Sequence, residues 1–210
     1  MVAPLTSDQP RTIGPYHLVG QLGHGGLGPV FLGRSPSGAT AAVKIIRAEL
    51  AADPWFRTQF RAEVDAARKV RGAFVAPVVD ADPDGDVLWL ATEYVVGRSL
   101  AETVGERGPL PCGSLVALAA GLAEGLGTVH AAGVVHGNLH PGNVLLAADG
   151  PRVADFGIWQ AAAASGLPDA GFGSPGFLSP EQVLGQEAGP ASDIFSLGAV
   201  LVFADRKSVV

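Results

Sequence analysis

The sequence predicts an α+β fold in two parts, a β-rich first part over residues 14–95 and a helical second part over about 96–204. Three observations point there. Short runs rich in β-formers crowd the first part, a single strong helix signature interrupts them, and helical periodicity takes over after Gly97–Leu100. Ahead of both parts, residues 1–13 are polar and proline-bearing and read as a flexible lead-in.

Tyr16–Gly23, Pro29–Ser35 and Ala39–Ile46 read as strands, the last two joined by the hairpin turn Ser35-Pro-Ser-Gly38. Residues 53–70 read as a helix. Asp53 serves as N-cap, Pro54 stands at the first helical position, and Phe56, Phe60, Val64 and Ala67 share one face. Val75–Ala81 and Val87–Val95 are strands around the turn Asp82-Pro-Asp-Gly-Asp86. In the second part Leu115, Leu118, Leu122, Leu126 and Val129 form a helical stripe that Gly133 is placed to end. Ser192 and Asp193 are expected to cap a last apolar helix over Ile194–Phe203.

Composition bounds the function. With 210 residues, 48% apolar and 16% charged, the chain can bury a core and is not a disordered segment. A formal charge of −6 argues against a nucleic-acid partner. Cys112 is the sole cysteine, which excludes a disulfide framework and a cysteine-rich zinc site and fits a cytoplasmic location. No apolar run is expected to span a bilayer, and the N-terminus lacks the pattern of a secretion signal.

Gly23-His-Gly-Gly-Leu-Gly28 fits G-x-G-x-x-G, a pattern shared by two phosphate-binding chemistries. A dinucleotide site needs a helix after the glycines and an acid about twenty residues on. Here a strand follows, and the charged residue near that distance is Lys44. A glycine hairpin over phosphates with a lysine on the next strand is the other chemistry. Glu63, beside the apolar stripe of the first helix, is placed to pair with Lys44 and aim it at α- and β-phosphates. Asn143 and Asp155, twelve residues apart, offer the oxygen ligands that Mg²⁺ prefers.

In this order the motifs resemble a bacterial eukaryotic-like Ser/Thr protein kinase, from Gly14 to about Phe203. The matching residues are Gly23, Gly25, Gly26 and Gly28 with Val30, then Lys44, Glu63, the catalytic loop His136–Leu146, Asp155-Phe-Gly157, Gly173–Glu181 and Ser192–Gly198. The resemblance implies a two-lobed protein-kinase fold, with a β-rich N-lobe holding one helix and an incomplete helical C-lobe. It implies ATP and Mg²⁺ as cofactors, with a protein substrate or signalling partner. It also makes Thr92 the gatekeeper, Glu93–Val95 the adenine-binding hinge, and Val30, Ala42 and Leu145 the adenine-pocket walls.

The family's catalytic loop reads His-Arg-Asp-Leu-Lys-Pro-x-Asn. This chain places Gly137 at the Arg, Asn138 at the Asp and His140 at the Lys, with the spacing from His136 to Asn143 unchanged. An amide at the base position is a poor proton acceptor, and losing a general base costs on the order of 10²–10⁴ in rate. The loss need not be total, because phosphoryl transfer leans on positioning and electrostatics. His140 is expected to be mostly neutral at pH 7, so a fixed cation near the γ-phosphate is lost as well. Gly137 removes the arginine that receives a phosphorylated activation loop. That loop carries Ser165, Ser174 and Ser179 but no Thr or Tyr, so phosphorylation of the usual arginine-pairing kind is not expected to activate it.

Three functions stay open on sequence: an ATP-binding pseudokinase or weak kinase, an active Ser/Thr kinase that tolerates Asn138, and a non-catalytic interaction domain. Asp205–Val210 can be encoded by read-through of a sequencing-library adapter and is expected to be a non-native tail.

Overall fold

The computed structural model describes residues 2–164 and 175–206. In chain order the N-lobe elements are β1 (Thr12–Ile13), β2 (Tyr16–Gly25), β3 (Gly28–Arg34), β4 (Thr40–Ile45), α1 (Ala48–Ala51), α2 (Pro54–Ala67), β5 (Val78–Asp82) and β6 (Trp89–Glu93). They form one antiparallel sheet in the order β1-β2-β3-β4-β6-β5. The C-lobe follows as β7 (Gly97–Ser99), α3 (Leu100–Arg107), α4 (Cys112–Ala131), β8 (Val144–Ala147), β9 (Gly150–Val153), α5 (Trp159–Ala164), α6 (Pro180–Val183) and α7 (Pro190–Arg206). β7, β8 and β9 make a small antiparallel sheet.

The local signals act as their chemistry requires. The β3–β4 turn closes through Gly38 N–H donating to Ser35 O at 2.9 Å. Asp53 caps α2 by accepting from Trp55 N, and Phe56, Phe60, Val64 and Ala67 are all buried. Asp82 Oδ1 accepts from the backbone N–H of Asp84 and Gly85, which holds the β5–β6 turn.

Register decides what the sheet shows to the C-lobe. Val30 stands opposite Lys44, and Ala42 opposite Thr92, so all four side chains share one face. The other face carries the second core cluster of Tyr16, Leu18, Phe31, Val43 and Trp89. The larger core runs continuously from α2 through α4 to α7, with Phe60, Leu122, Leu126 and Val200 fully buried.

Several of the observed elements differ from expectation. The strand expected from Val75 begins at Val78, because residues 74–76 pair across to Val153 instead and Pro77 has no N–H to give. The last helix starts at Pro190, four residues before Ile194, so Ser192 and Asp193 lie buried inside it rather than capping it. It also continues through Asp205 and Arg206. Residues 2–13 are not a loose lead-in. They run along the outer edge of β2, where Ala3 and Gln21 exchange two backbone hydrogen bonds of 2.8 Å.

α4 is long and apolar enough by composition to cross a membrane, contrary to the expectation that no such run exists. In this fold its Leu118, Leu122, Leu126 and Val129 face is buried, in the same core cluster as Val153 and Val200, as a core helix requires.

Candidate active site

Between the lobes lies a cleft of about 680 Å³, a size that suits a nucleotide. Its roof is the β2–β3 hairpin, with Gly23, Gly25, Gly26 and Val30 lining it. Ala42, Thr92, Glu93, Val95 and Leu145 line the inner part. Lys44, Asn138, His140, Asn143 and Asp155 line the polar part. Of the residues expected from sequence, Gly28 and Glu63 do not reach the cleft. Gly28 opens β3 directly after the Gly26–Leu27 turn with φ +145°, where a Cβ would lie 2.0 Å from Ile45 O, so only glycine fits there.

The expected Lys44–Glu63 pair is absent, and this corrects the reading of Glu63 as an aid to Lys44. Lys44 Nζ instead meets Asp155 Oδ2 at 2.8 Å, with the Lys44 side chain 7% exposed. Glu63 Oε1 accepts from Ala161 N at 2.8 Å. Ala161 lies in the first turn of α5, whose N–H groups have no partner inside the helix, and an anion is favoured there. Glu63 Oε2 is buried without a hydrogen bond among the described residues. Burial pushes the Glu63 carboxyl up to about 8, although the Ala161 N–H opposes that rise. Burial alone would also raise Asp155. The Lys44 ammonium and its hydrogen bond outweigh it, helped by His136 and His140, and hold that carboxyl below the usual range.

Asp155 is the one non-glycine residue with positive φ among the described residues, at 59°. Such backbone strain concentrates at functional sites.

The catalytic stretch is held from below. Asp193 is 1% exposed and accepts from His136 N and Gly137 N, each at 2.8 Å, while His130 Nε2 stands 2.7 Å from the same carboxylate. Gly137 O accepts from Gln182 Nε2 at 2.7 Å, which ties α6 to the same loop. Sequence reasoning gave Asp193 only a capping role. The signal was its placement in Ser192–Gly198, an apolar stretch where a carboxylate needs buried donors.

Asn143 Nδ2 donates to Asn138 O at 2.9 Å, which orients the amide and leaves Oδ1 as its acceptor. Asn143 Oδ1 and the Asp155 carboxylate thus offer oxygen donors in one cleft, a set that suits Mg²⁺, which completes its shell with water and phosphate oxygens. His140 Nδ1 accepts from Gly142 N at 3.1 Å. Burial, then His136, with Lys44 adding to them against Asp155, lowers its pKa to about 4, so it is neutral at pH 7. Among the activation-loop serines, Ser179 is fully buried, and its hydroxyl caps α6 by accepting from Gln182 N. Ser165 and Ser174 lie outside the described residues.

A hairpin roof with glycines, a buried lysine on the next strand, and Asn143 with Asp155 below define a protein kinase cleft. A family model for the protein kinase domain matches residues 16–207, and the chain belongs to that family as a eukaryotic-like Ser/Thr kinase domain of bacterial type. It is 51% identical over 206 residues to the probable serine/threonine-protein kinase PkwA of Thermomonospora curvata, covering 97% of this chain and 28% of that protein. It is 50% identical over 207 residues to the serine/threonine-protein kinase AfsK of Streptomyces coelicolor, covering 97% of this chain and 26% of that one. Among solved structures, the Mycobacterium tuberculosis PknI kinase domain superposes with a TM-score of 0.77 at 27% identity, covering 95% of this chain and 76% of that one. The chain therefore spans about a quarter of the length of these curated relatives.

Proposed function

We propose that this domain binds ATP and Mg²⁺ and transfers phosphate to protein Ser/Thr hydroxyls weakly or not at all. The observation that carries the proposal is a nucleotide-sized cleft lined by Lys44, Asn143 and Asp155 together with an amide, Asn138, at the base position of the same cleft. Lys44 would hold the α- and β-phosphates, and Asn143 with Asp155 would hold Mg²⁺, whose charge offsets that of the phosphates. The Asn138 amide can orient a substrate hydroxyl through its oxygen but cannot take up its proton at neutral pH. His140 brings no positive charge to the γ-phosphate side, since it is neutral at pH 7.

A second reading, an active Ser/Thr kinase, is favoured by the intact Lys44, Asn143 and Asp155 and by about 50% identity to proteins named as Ser/Thr kinases. One experiment separates the two. Thermal shift with ATP·Mg²⁺ is followed by radiolabelled phosphotransfer for the unmodified protein and for Asn138→Asp and Lys44→Met. Binding with little transfer, and a rate gain on the order of 10²-fold in Asn138→Asp, is expected. Lys44-dependent transfer in the unmodified protein at a rate that Asn138→Asp leaves unchanged would establish the second reading. The absence of a nucleotide shift would point instead to a non-catalytic interaction domain.

A further inference from the structure

The N-terminal segment is joined to the glycine-rich hairpin by a chain of hydrogen bonds whose direction is fixed at both ends. Thr6 N–H, a backbone donor, is 3.1 Å from Gln9 Oε1. Gln9 therefore presents its amide nitrogen to the next residue, and Nε2 donates to Gln21 Oε1 at 2.7 Å. Gln21 in turn has its own Nε2 facing the hairpin, where it donates to Gly23 O at 3.1 Å and meets His24 Nδ1 at 3.0 Å. A backbone donor at one end and a backbone acceptor at the other allow neither amide to flip without breaking a bond.

Three further contacts seat the segment. Ala3 and Gln21 exchange two backbone hydrogen bonds, and Leu5 packs partly buried on the cluster of Tyr16, Leu18 and Trp89. Gly20 lies under the chain, where a Cβ would fall 2.7 Å from Ala3 O and 2.5 Å from Val2 Cγ1. Val2 reaches the rim of the nucleotide cleft beside Leu22 and Gly23. The far end of β2 is otherwise a free edge leading into a glycine-rich turn, which has little of its own to hold it still.

We propose that residues 2–9 form a strap that fixes the glycine-rich roof of the cleft, with Gln21 as the positioning residue that passes the strap's hold to Gly23 and His24. The strap stands on geometry alone. Its effect on nucleotide rests on the ATP-binding function proposed above.

The test uses the full chain and four variants. Leu5→Asp and deletion of residues 2–9 undock the strap without touching the hairpin. Gln9→Glu keeps the acceptor for Thr6 N–H but removes the donor to Gln21. Gln21→Glu keeps the acceptor for Gln9 but cannot donate to Gly23 O. Hydrogen exchange of the Leu22–Gly26 backbone is read without nucleotide, with α4 as an internal reference. A fluorescent ATP analogue with Mg²⁺ then gives Kd and dissociation rate. Faster exchange confined to Leu22–Gly26 is expected in all four variants, with Kd raised about 3- to 10-fold, the worth of one or two hydrogen bonds. Exchange at Leu22–Gly26 that matches the unmodified protein in every variant would overturn the strap. If exchange rises at the hairpin but the unmodified protein binds no analogue, the strap stands and the ATP-binding function falls.

Discussion

Replacing Glu63 by glutamine should stabilise the domain at alkaline pH and leave it almost unchanged at pH 5. In the folded protein the carboxyl is pushed up from 4.5 to about 8 because its burial disfavours the charged form. Between those values the folded state holds a proton that the unfolded chain has released. Stability therefore falls as pH rises through this window, and the fall is complete above about pH 8. At about 1.4 kcal/mol per pH unit, the cost at pH 7 is on the order of 2–3 kcal/mol for this half-buried group. Glutamine keeps an oxygen for Ala161 N–H and has no charge to bury. For a chain of this size the gain corresponds to a melting temperature about 5–10 °C higher at pH 7–8. Thermal unfolding of both proteins from pH 5 to 9, plotted as a difference, should be near zero at pH 5, rise to pH 8 and then level off. Parallel profiles across the whole range, or a variant less stable throughout, would refute the account of Glu63.

Asp193→Ala should lower the urea midpoint by an amount equal to about 3–5 kcal/mol, because it strands the N–H groups of His136 and Gly137 in the interior. Titration of His140 works in the opposite sense to Glu63. Its folded pKa, about 4, lies below the ordinary 6.5, so its contribution is present above pH 6.5 and is lost as pH falls toward 4. His140→Asn preserves an acceptor for Gly142 N–H and should flatten the acid side of the stability profile, by on the order of 2 kcal/mol at pH 5.

Much of the fold was legible because neighbouring signals agreed. Asp53, Pro54 and the Phe56–Phe60–Val64 face all specify one helix, and the register of three strands follows from short turns. The cleft residues were legible because the glycine hairpin, Lys44, Asn143 and Asp155 carry their roles in fixed local contexts. What was missed depends on competition between distant groups. Glu63 has a lysine within the fold's reach, but α5 offers it a backbone donor while Asp155 takes the lysine, and no local pattern ranks those two pairings. The seat of residues 2–13 was hidden for a related reason. A polar, proline-bearing segment has no strand signature, and its order comes from the open edge of β2 rather than from itself.

The carboxylate of Asp193 also sets an order of events in making the protein. It lies 57 residues beyond His136, whose backbone it secures. A chain emerging from the ribosome can close the N-lobe sheet early, since every strand of that sheet lies before residue 94. The loop that carries Asn138 must wait for α7. Until then, its two inward-facing amides have only water to meet. Formation of the cleft's floor should therefore be the late, slow step of folding, arriving after its roof.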